Sequence, residues 1–177
     1  MLARFSTKDL ILIATLAGIG IAIKPIVSPL SKMISTPLMI PGGSIAGGFY
    51  MMWLVLAVMM TKKIGTGTLF GFLQALIVLV VGIQGNQGML SLLSYTLPGI
   101  VVDLLYFILR KRDKLGVHLL LCACANITGA MVVAVLLFRH PLPIAVWIGA
   151  LALASGIVGG YASFGVLKAL RETGLTT

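Results

Sequence analysis

The sequence predicts an all-α integral membrane protein, a bundle of six transmembrane helices with both termini in the cytoplasm. Of its 177 residues, 59% are hydrophobic and only 10% are charged, and the mean hydropathy is +1.14. A soluble domain carries about a quarter charged residues, so this composition is typical of a chain that lies in lipid. The apolar residues fall into six stretches separated by proline, glycine or basic turns, which predicts one transmembrane domain over residues 1–177.

The helices are predicted from start and stop signals along the chain. Ser6 followed by Asp9 is typical of a capping box, and Lys24-Pro25 is predicted to end the first helix. The stretch from Ser28 to Ile40 contains too many prolines to span, so we expect an outer loop with one short helical turn at most. The predicted bounds are about Lys8–Val27, Pro41–Met60, Gly65–Val81, Met89–Leu109, Gly116–Phe138 and Leu142–Leu170.

The distribution of basic residues orients these helices. Ten of them lie at the N-terminus, the second and fourth turns and the C-terminus, against three on the other side, Lys24, Lys32 and Arg139. The positive-inside rule therefore predicts cytoplasmic termini in a multi-pass protein. The expected location is the cell membrane of a prokaryote. The net charge of +9 is accounted for by these turns, so we expect no nucleic-acid partner. The ten are Arg4, Lys8, Lys62, Lys63, Arg110, Lys111, Arg112, Lys114, Lys168 and Arg171.

The stretch from Gly82 to Asp103 is the strongest candidate for the working part of the chain. It begins with an uncharged turn that contains Gln84, Asn86 and Gln87. A helical stripe at intervals of four residues follows, formed by Ser91, Tyr95, Gly99 and Asp103. A carboxylate facing lipid is strongly unfavourable, so the stripe predicts a polar cavity behind it. A structural hydrogen-bonding role for Asp103 stays open beside a ligand-facing one.

Other polar and aromatic side chains complete the candidate ligand site. Gln74 and Asn126 are amides near the middle of apolar helices, where they could contact a heterocyclic ligand or bridge helices. Tyr50, Trp53 and Tyr95 could stack on a flat ligand or serve packing. The basic residues of the predicted outer side have no acidic neighbour there, which favours a neutral or anionic solute over a cationic one.

Motifs of membrane enzymes do not occur in the sequence. It contains no HExxH zinc motif, no GxSxG serine elbow and no phosphate-binding glycine loop. Cys122 and Cys124 are two residues apart on a predicted helix and therefore point to different faces, which favours packing over a metal pair. We expect no enzymatic activity, no resident metal and no cofactor.

The whole chain resembles the substrate-binding S component of an energy-coupling factor (ECF) vitamin transporter. The resemblance consists of six helices, a long first outer loop and small residues at Ala14, Gly18 and Ala22, where that family has an alanine motif on helix 1. The segments from Pro41 to Trp53 and from Lys62 to Gly65, together with the Gly85–Gly88 turn, resemble the hydroxymethylpyrimidine (thiamine-precursor) branch. Gln74 stands where that branch is expected to have an acid.

The resemblance implies the function and the partners. The protein would capture a vitamin-like heterocycle, a thiamine precursor or a related compound, with the first outer loop closing over it. The stripe of Ala14, Gly18 and Ala22 would dock on a transmembrane coupling (T) subunit bound to two ATPases, which hydrolyse ATP and rotate the protein in the bilayer. The nickel and cobalt branch is disfavoured because the chain has no His-bearing N-terminus. The competing hypothesis is a membrane scaffold whose polar side chains bond to one another with no void between them.

Overall fold

The computed structural model describes residues 5–38, 40, 42–82, 88–109 and 112–174, and every regular element in these ranges is helical. The all-α prediction is therefore confirmed for this part of the chain. A 3-10 turn, Thr36–Leu38, follows the second helix, and a π-helical segment, Val132–Leu137, continues the sixth. The α-helices are α1 Thr7–Ala22, α2 Lys24–Ser35, α3 Gly42–Thr61, α4 Thr66–Val81, α5 Leu90–Ile108, α6 Leu115–Met131 and α7 Leu142–Glu172.

The capping box predicted at the start of α1 is confirmed. The Ser6 backbone N–H donates to Asp9 Oδ2 over 2.7 Å, and the Asp9 N–H donates to Ser6 Oγ over 3.3 Å. These two bonds satisfy backbone donors that have no partner within the helix.

The prediction of a loop from Ser28 to Ile40 is wrong, because α2 occupies most of this stretch. Pro25 lies in the first turn of α2, where a missing N–H removes no helical hydrogen bond. Pro29 lies four residues later, so its missing donor would have paired with the carbonyl of Pro25, and only that bond is lost. The chain bends by 44° at Ile23 and then continues as helix. Two prolines spaced by one turn are therefore compatible with a short helix.

Four of the helices in the described ranges are long and apolar enough to cross a membrane, namely α3, α5, α6 with its π-helical continuation, and α7. The bent pair of α1 and α2 would make a fifth span. With 16 residues, α4 is about 24 Å long, shorter than a hydrocarbon core of about 30 Å. The protein is a multi-pass membrane protein, while six spans and cytoplasmic termini stay predictions.

Contacts between helices place the start of α1 and the end of α7 at the same end of the bundle. Asp9 pairs with Lys63 at 2.6 Å, which joins the start of α1 to the turn between α3 and α4. Asp113, in the turn between α5 and α6, pairs with Arg171 near the end of α7. Gly67 contacts Gly99 while Gly71, one turn later on α4, contacts Tyr95, one turn earlier on α5, so these helices are antiparallel and both turns lie at one end.

The helices approach one another closely through glycines. A Cβ added to Gly159 of α7 would lie 2.0 Å from the carbonyl oxygen of Gly48 on α3. A Cβ on Gly156 would lie 2.5 Å from Ala123 Cα on α6. Here the backbones themselves pack, as small residues permit in membrane helices. Among the described residues, α3 holds the centre of the core, with five consecutive apolar residues from Val55 to Met59 at most 1% exposed.

The contact between α4 and α5 leads to a stability prediction for Gly99→Ala. The added Cβ would lie 2.1 Å from the Gly67 carbonyl oxygen, so the helices must separate. We expect a loss of about 1–3 kcal/mol, measured by thermal unfolding in mild detergent. The matched control is Gly116→Ala on α6, where no atom lies within 4 Å of the new Cβ and stability should hold or rise. Equal stability of the two variants would contradict this packing.

Candidate functional site

A cavity of about 410 Å³ lies at the end of the bundle opposite the Asp9 and Asp113 ion pairs. It is formed by α2, the start of α3, the middle of α4, the first half of α5, and α6 with its π-helical continuation. Its apolar wall includes Met51, Ala130, Val133, Leu137 and Phe138. The polar side chains that line it are Lys24, Ser28, Ser31, Lys32, Ser44, Tyr50, Gln74, Ser94, Tyr95 and Asn126.

A lysine and two tyrosines form one polar cluster of this cavity. Lys24 is the first residue of α2 and is 5% exposed, and its Nζ donates to Tyr95 Oη. The same Nζ lies 3.9 Å from the ring centroid of Tyr95 and 5.2 Å from that of Tyr50. Tyr50 Oη lies 3.2 Å from Ser28 Oγ, which ties α3 to α2. The cluster presents one cation and two aromatic surfaces to the cavity.

The two amides are held by backbone carbonyls of other helices. Asn126 Nδ2 donates to Ala152 O over 2.8 Å and, more weakly, to Ser44 O over 3.4 Å. Gln74 Nε2 donates to Ala17 O over 3.4 Å. A Cβ on Gly47 would lie 1.8 Å from Asn126 Oδ1, so only glycine admits this amide beside α3. Each amide is therefore fixed in orientation while lining the cavity.

One cavity hydroxyl has no hydrogen-bond partner. Ser44 Oγ is fully buried and unpaired among the described residues. A buried polar group without a partner is unfavourable by about 1–3 kcal/mol, and such groups are rare in folded proteins. Because Ser44 lines the cavity, a polar group placed there would complete its hydrogen bonding.

Four of the predicted site residues meet at this cavity: Tyr50, Gln74, Tyr95 and Asn126. Trp53 does not line it. Its side chain packs beside Gly20 of α1, where a Cβ would lie 3.5 Å from Trp53 Cδ1. Gln84, Asn86 and Gln87 lie outside the described residues. A binding role for each of these eight side chains stays a prediction.

Asp103 lies away from the cavity and caps a helix. Its Oδ1 accepts from the Gly67 N–H over 2.9 Å, and its Oδ2 accepts from the Thr68 N–H and hydroxyl over 2.8 and 2.7 Å. These donors belong to the first turn of α4, whose N-cap, Gly65, has no side chain to supply. A carboxylate suits this position because a helix N-terminus carries partial positive charge. The geometry favours the structural alternative for Asp103.

The stripe of Ser91, Tyr95, Gly99 and Asp103 does not face the cavity along its length. Tyr95 lines it, but Gly99 and Asp103 contact the start of α4. The interval of four residues correctly placed them on one face of α5. The part of that face around Gly99 and Asp103 packs on α4, and of the four residues only Tyr95 is among those that line the cavity.

A family model matches residues 8–128, well over half of the chain. Its description is "ABC-type cobalt transport system, permease component". The chain belongs to this family. Comparisons with curated proteins and with solved structures found no match.

Membership in this permease family makes the protein a multi-pass membrane component of an ABC-type transporter. Such a component works with other transporter subunits. Its role is transport, which accords with the expectation that the chain is not an enzyme. The matched region includes α1 to α5 and the part of α6 that carries Asn126, and therefore most of the cavity wall.

In this permease the sequence interpretation missed several cavity residues, above all Lys24. The Lys-Pro pair predicts a helix end at this residue, because proline commonly follows a helix terminus. The charge distribution predicts that the same lysine belongs to an outer basic surface. It is instead buried where α1 and α2 meet. Ser28, Ser44 and Ser94 were missed because serines in apolar helices also bond to their own backbone. The sequence did contain one indication of this role, since Lys24 lies on the predicted outer side, away from most of the basic residues.

A second polar cluster lies at the opposite end of the permease and joins three elements. His118 lies 3.1 Å from both Asp113 Oδ1 and Ser163 Oγ, and Arg171 donates to Asp113 Oδ2. Partial burial acts to raise the pKa of Asp113, but the hydrogen bonds from Arg171 and His118 outweigh it and the pKa lies below its usual value. The hydrogen bonds from Asp113 through His118 to Ser163 resemble a catalytic triad in their sequence of residue types. Ser163 is fully buried, however, so this arrangement joins helices and offers no accessible nucleophile.

Two further observations concern metals and partner surfaces. Within the described ranges, no three His, Cys, Asp or Glu side chains are grouped so that they could hold a metal ion. The predicted docking residues Ala14 and Ala22 are exposed, and no atom lies within 4 Å of a Cβ added to Gly18. The stripe is therefore not covered by the described residues of the chain, and its docking role stays a prediction.

The capping role of Asp103 predicts the effect of Asp103→Ala. The variant leaves two N–H groups and the Thr68 hydroxyl without their acceptor, so we expect a stability loss of about 3 kcal/mol in thermal unfolding. Asp103→Asn keeps one acceptor oxygen and should lose less. Ligand affinity of the folded fraction should be unchanged in both variants. A selective loss of binding with normal stability would instead assign Asp103 to the ligand.

Proposed function

We propose that this permease component is the substrate-capture (S) subunit of an ECF-type importer that binds a small vitamin-like heterocycle in the cavity. In this proposal the chain forms six spans and both termini are cytoplasmic. The ligand enters from the opposite, outer side of the membrane. A coupling T subunit and two ATPases supply the energy. Hydrolysis of ATP takes place in the partners, and the chain itself is not catalytic.

The cavity is the observation that carries this proposal. Its volume of about 410 Å³ falls within the range of about 300–1,000 Å³ that is usual for small-molecule sites. Most of its surface is apolar, and the polar side chains that line it offer hydrogen-bonding groups, a combination that can orient a small ligand. Amides can donate to and accept from ring nitrogens and carbonyls, and tyrosine rings can stack on a flat ring.

The scaffold hypothesis is less well supported by this geometry. It requires Gln74, Asn126 and Asp103 to bond to one another with no void between them. Their hydrogen bonds to described residues go instead to Ala17, to Ser44 and Ala152, and to the start of α4. The void that the hypothesis excludes lies between Gln74 and Asn126.

A heterocycle fits the described residues better than a cobalt ion does, although the family description names cobalt. Cobalt(II) prefers imidazole and other nitrogen, oxygen or sulfur donors grouped around it. The cavity wall has no His, Cys, Asp or Glu among the described residues. Lys24 would also repel a metal cation.

We propose that α2 covers the ligand in place of the loop expected from the sequence. Lys24, Ser28 and Ser31 of α2 line the cavity, and few contacts join α2 to helices other than α3. The bend at Ile23 gives α2 a junction about which it could move relative to α1. Opening of α2 would then admit and release the ligand.

The first test is mass spectrometry of small molecules released from protein purified in mild detergent, with thermal shifts across a vitamin panel. We expect a stoichiometric heterocycle. Val133→Trp, which fills the cavity wall, should remove both the bound compound and the thermal shift. Val135→Trp is the matched control, because Val135 lies two residues further along the same π-helical segment and is 50% exposed. An empty wild-type protein that no vitamin stabilises would favour the scaffold.

The docking proposal separates uptake from binding. Gly18→Leu projects a bulky side chain from α1 into open space, so the fold and the cavity should be unaffected. We expect cellular uptake of the ligand to fall at least about tenfold while its affinity in detergent is unchanged, because a low-relief surface is needed for close helix approach. Gly165→Leu, on exposed α7 with no neighbouring atom within 4 Å, is the control and should retain uptake. If Gly18→Leu weakens binding and uptake equally, the docking role is wrong.

A further inference from the structure

The amino group of Lys24 is buried in the cavity of this membrane protein. Its side chain is 5% exposed, and its only hydrogen bond to a described residue goes to the neutral hydroxyl of Tyr95. An ammonium group has three N–H donors, so this bond uses one of them. The faces of Tyr50 and Tyr95 contribute cation–π attraction, which stabilises a cation only in part.

No side-chain carboxylate of the chain is placed to neutralise Lys24. The sequence contains four acidic residues, and the structure describes all of them. Each has other partners, and none lines the cavity. Asp9 pairs with Lys63, Asp103 caps α4, Asp113 pairs with Arg171 and His118, and Glu172 lies 4.0 Å from Lys168.

The nearest charges in the cavity have the same sign as Lys24. Lys32 also lines it and is exposed, so it adds positive potential at the margin. A buried charge without a counterion is strongly unfavourable, and its removal from water is compensated only by pairing and full hydrogen bonding. A ligand that brings a negative group to Lys24 would supply both.

We propose that the cavity binds its ligand as an anion and that Lys24 Nζ receives the ligand's carboxylate or phosphate group. This inference rests on the proposed function and names its substrate class. Tyr95 holds the ammonium in position from one side, leaving its other donors for the ligand. Gln74, Asn126 and Ser44 then contact the heterocycle itself, and the aromatic rings pack on its faces.

The same charge selects against cationic ligands. A protonated or quaternary ring would approach Lys24 with no carboxylate between them, in a setting where weak screening strengthens repulsion. Gln74 is an amide and offers such a ring no negative charge. A thiamine precursor would therefore bind as its phosphate ester in preference to the free alcohol.

The test compares matched pairs of compounds that differ in one charged group. One pair of probes is nicotinate and nicotinamide, and the other is hydroxymethylpyrimidine phosphate and hydroxymethylpyrimidine. Any compound that copurifies with the protein is tested as well. Binding to the purified protein is measured by calorimetry. We expect the anionic member of a pair to bind at least about tenfold more tightly, which is the size of a charge-assisted hydrogen bond. The carboxylate and phosphate pairs separate the two anion types.

Lys24→Met should abolish this preference, so that both members of a pair bind with equal affinity. The unliganded variant should unfold at the same temperature as the wild type or higher, since an unneutralised buried charge is removed. Lys168→Met, which removes a lysine of 68% side-chain exposure at the other end of the bundle, should keep the preference. Tyr95→Phe removes the acceptor for Lys24 and should weaken the preference while leaving the stacking surface in place.

The outcomes distinguish the inference from the proposed function. Binding of a neutral or cationic heterocycle with equal affinity in the wild type and in Lys24→Met would overturn the anion assignment and leave the carrier function standing. If the protein copurifies with nothing and none of the probes or vitamins binds, the carrier function fails and the anion assignment fails with it.

Discussion

The contact between the backbones of α3, α6 and α7 is the constraint on which the rest of the structure depends. Gly48 and Gly159 bring α3 and α7 together, and Gly156 and Gly160 bring α7 onto the backbone of α6. In lipid the hydrophobic effect does not drive helices together, so this packing must come from close van der Waals contact and hydrogen bonds. Asn126, on α6, bridges to carbonyls of α3 and α7 at the same level. These three helices pack closely against one another, and α3 and α6 contribute to the cavity wall.

The distribution of charge divides the bundle into two functional ends. All four carboxylates are used near the ends of helices away from the cavity, where they cap α1 and α4 or pair with basic residues. At the cavity end the charge is positive only, and Lys24 is buried within it. In a protein with so few acids, this segregation leaves the ligand as the source of negative charge. The carboxylates therefore tie the helices together at one end of the bundle, and the cavity lies at the other end.

For a member of an ABC-type permease family, these features form a consistent mechanism. In the proposed mechanism, α3, α6 and α7, which pack through glycines, would stay in place while α2, which contacts mainly α3, opens to admit a ligand. The uncovered small-residue stripe on α1 offers a surface for a coupling partner. Under this proposal, ligand capture and partner docking would use different faces of the bent pair of α1 and α2, which would couple enclosure of the ligand to the partner.

The sequence by itself determined the membrane class and, within one or two residues, the bounds of α3, α4, α5 and α7. These follow from composition and local stop signals, which act over a few residues. It also placed Tyr50, Gln74, Tyr95 and Asn126 among the candidates, because polar groups in apolar helices need a reason to be there. Only the tertiary structure decided which face of α5 meets α4, that Asp103 caps a helix, and that Lys24 is buried in the cavity. Those outcomes depend on contacts between residues distant in the sequence, such as Lys24 with Tyr95, which local periodicity does not encode.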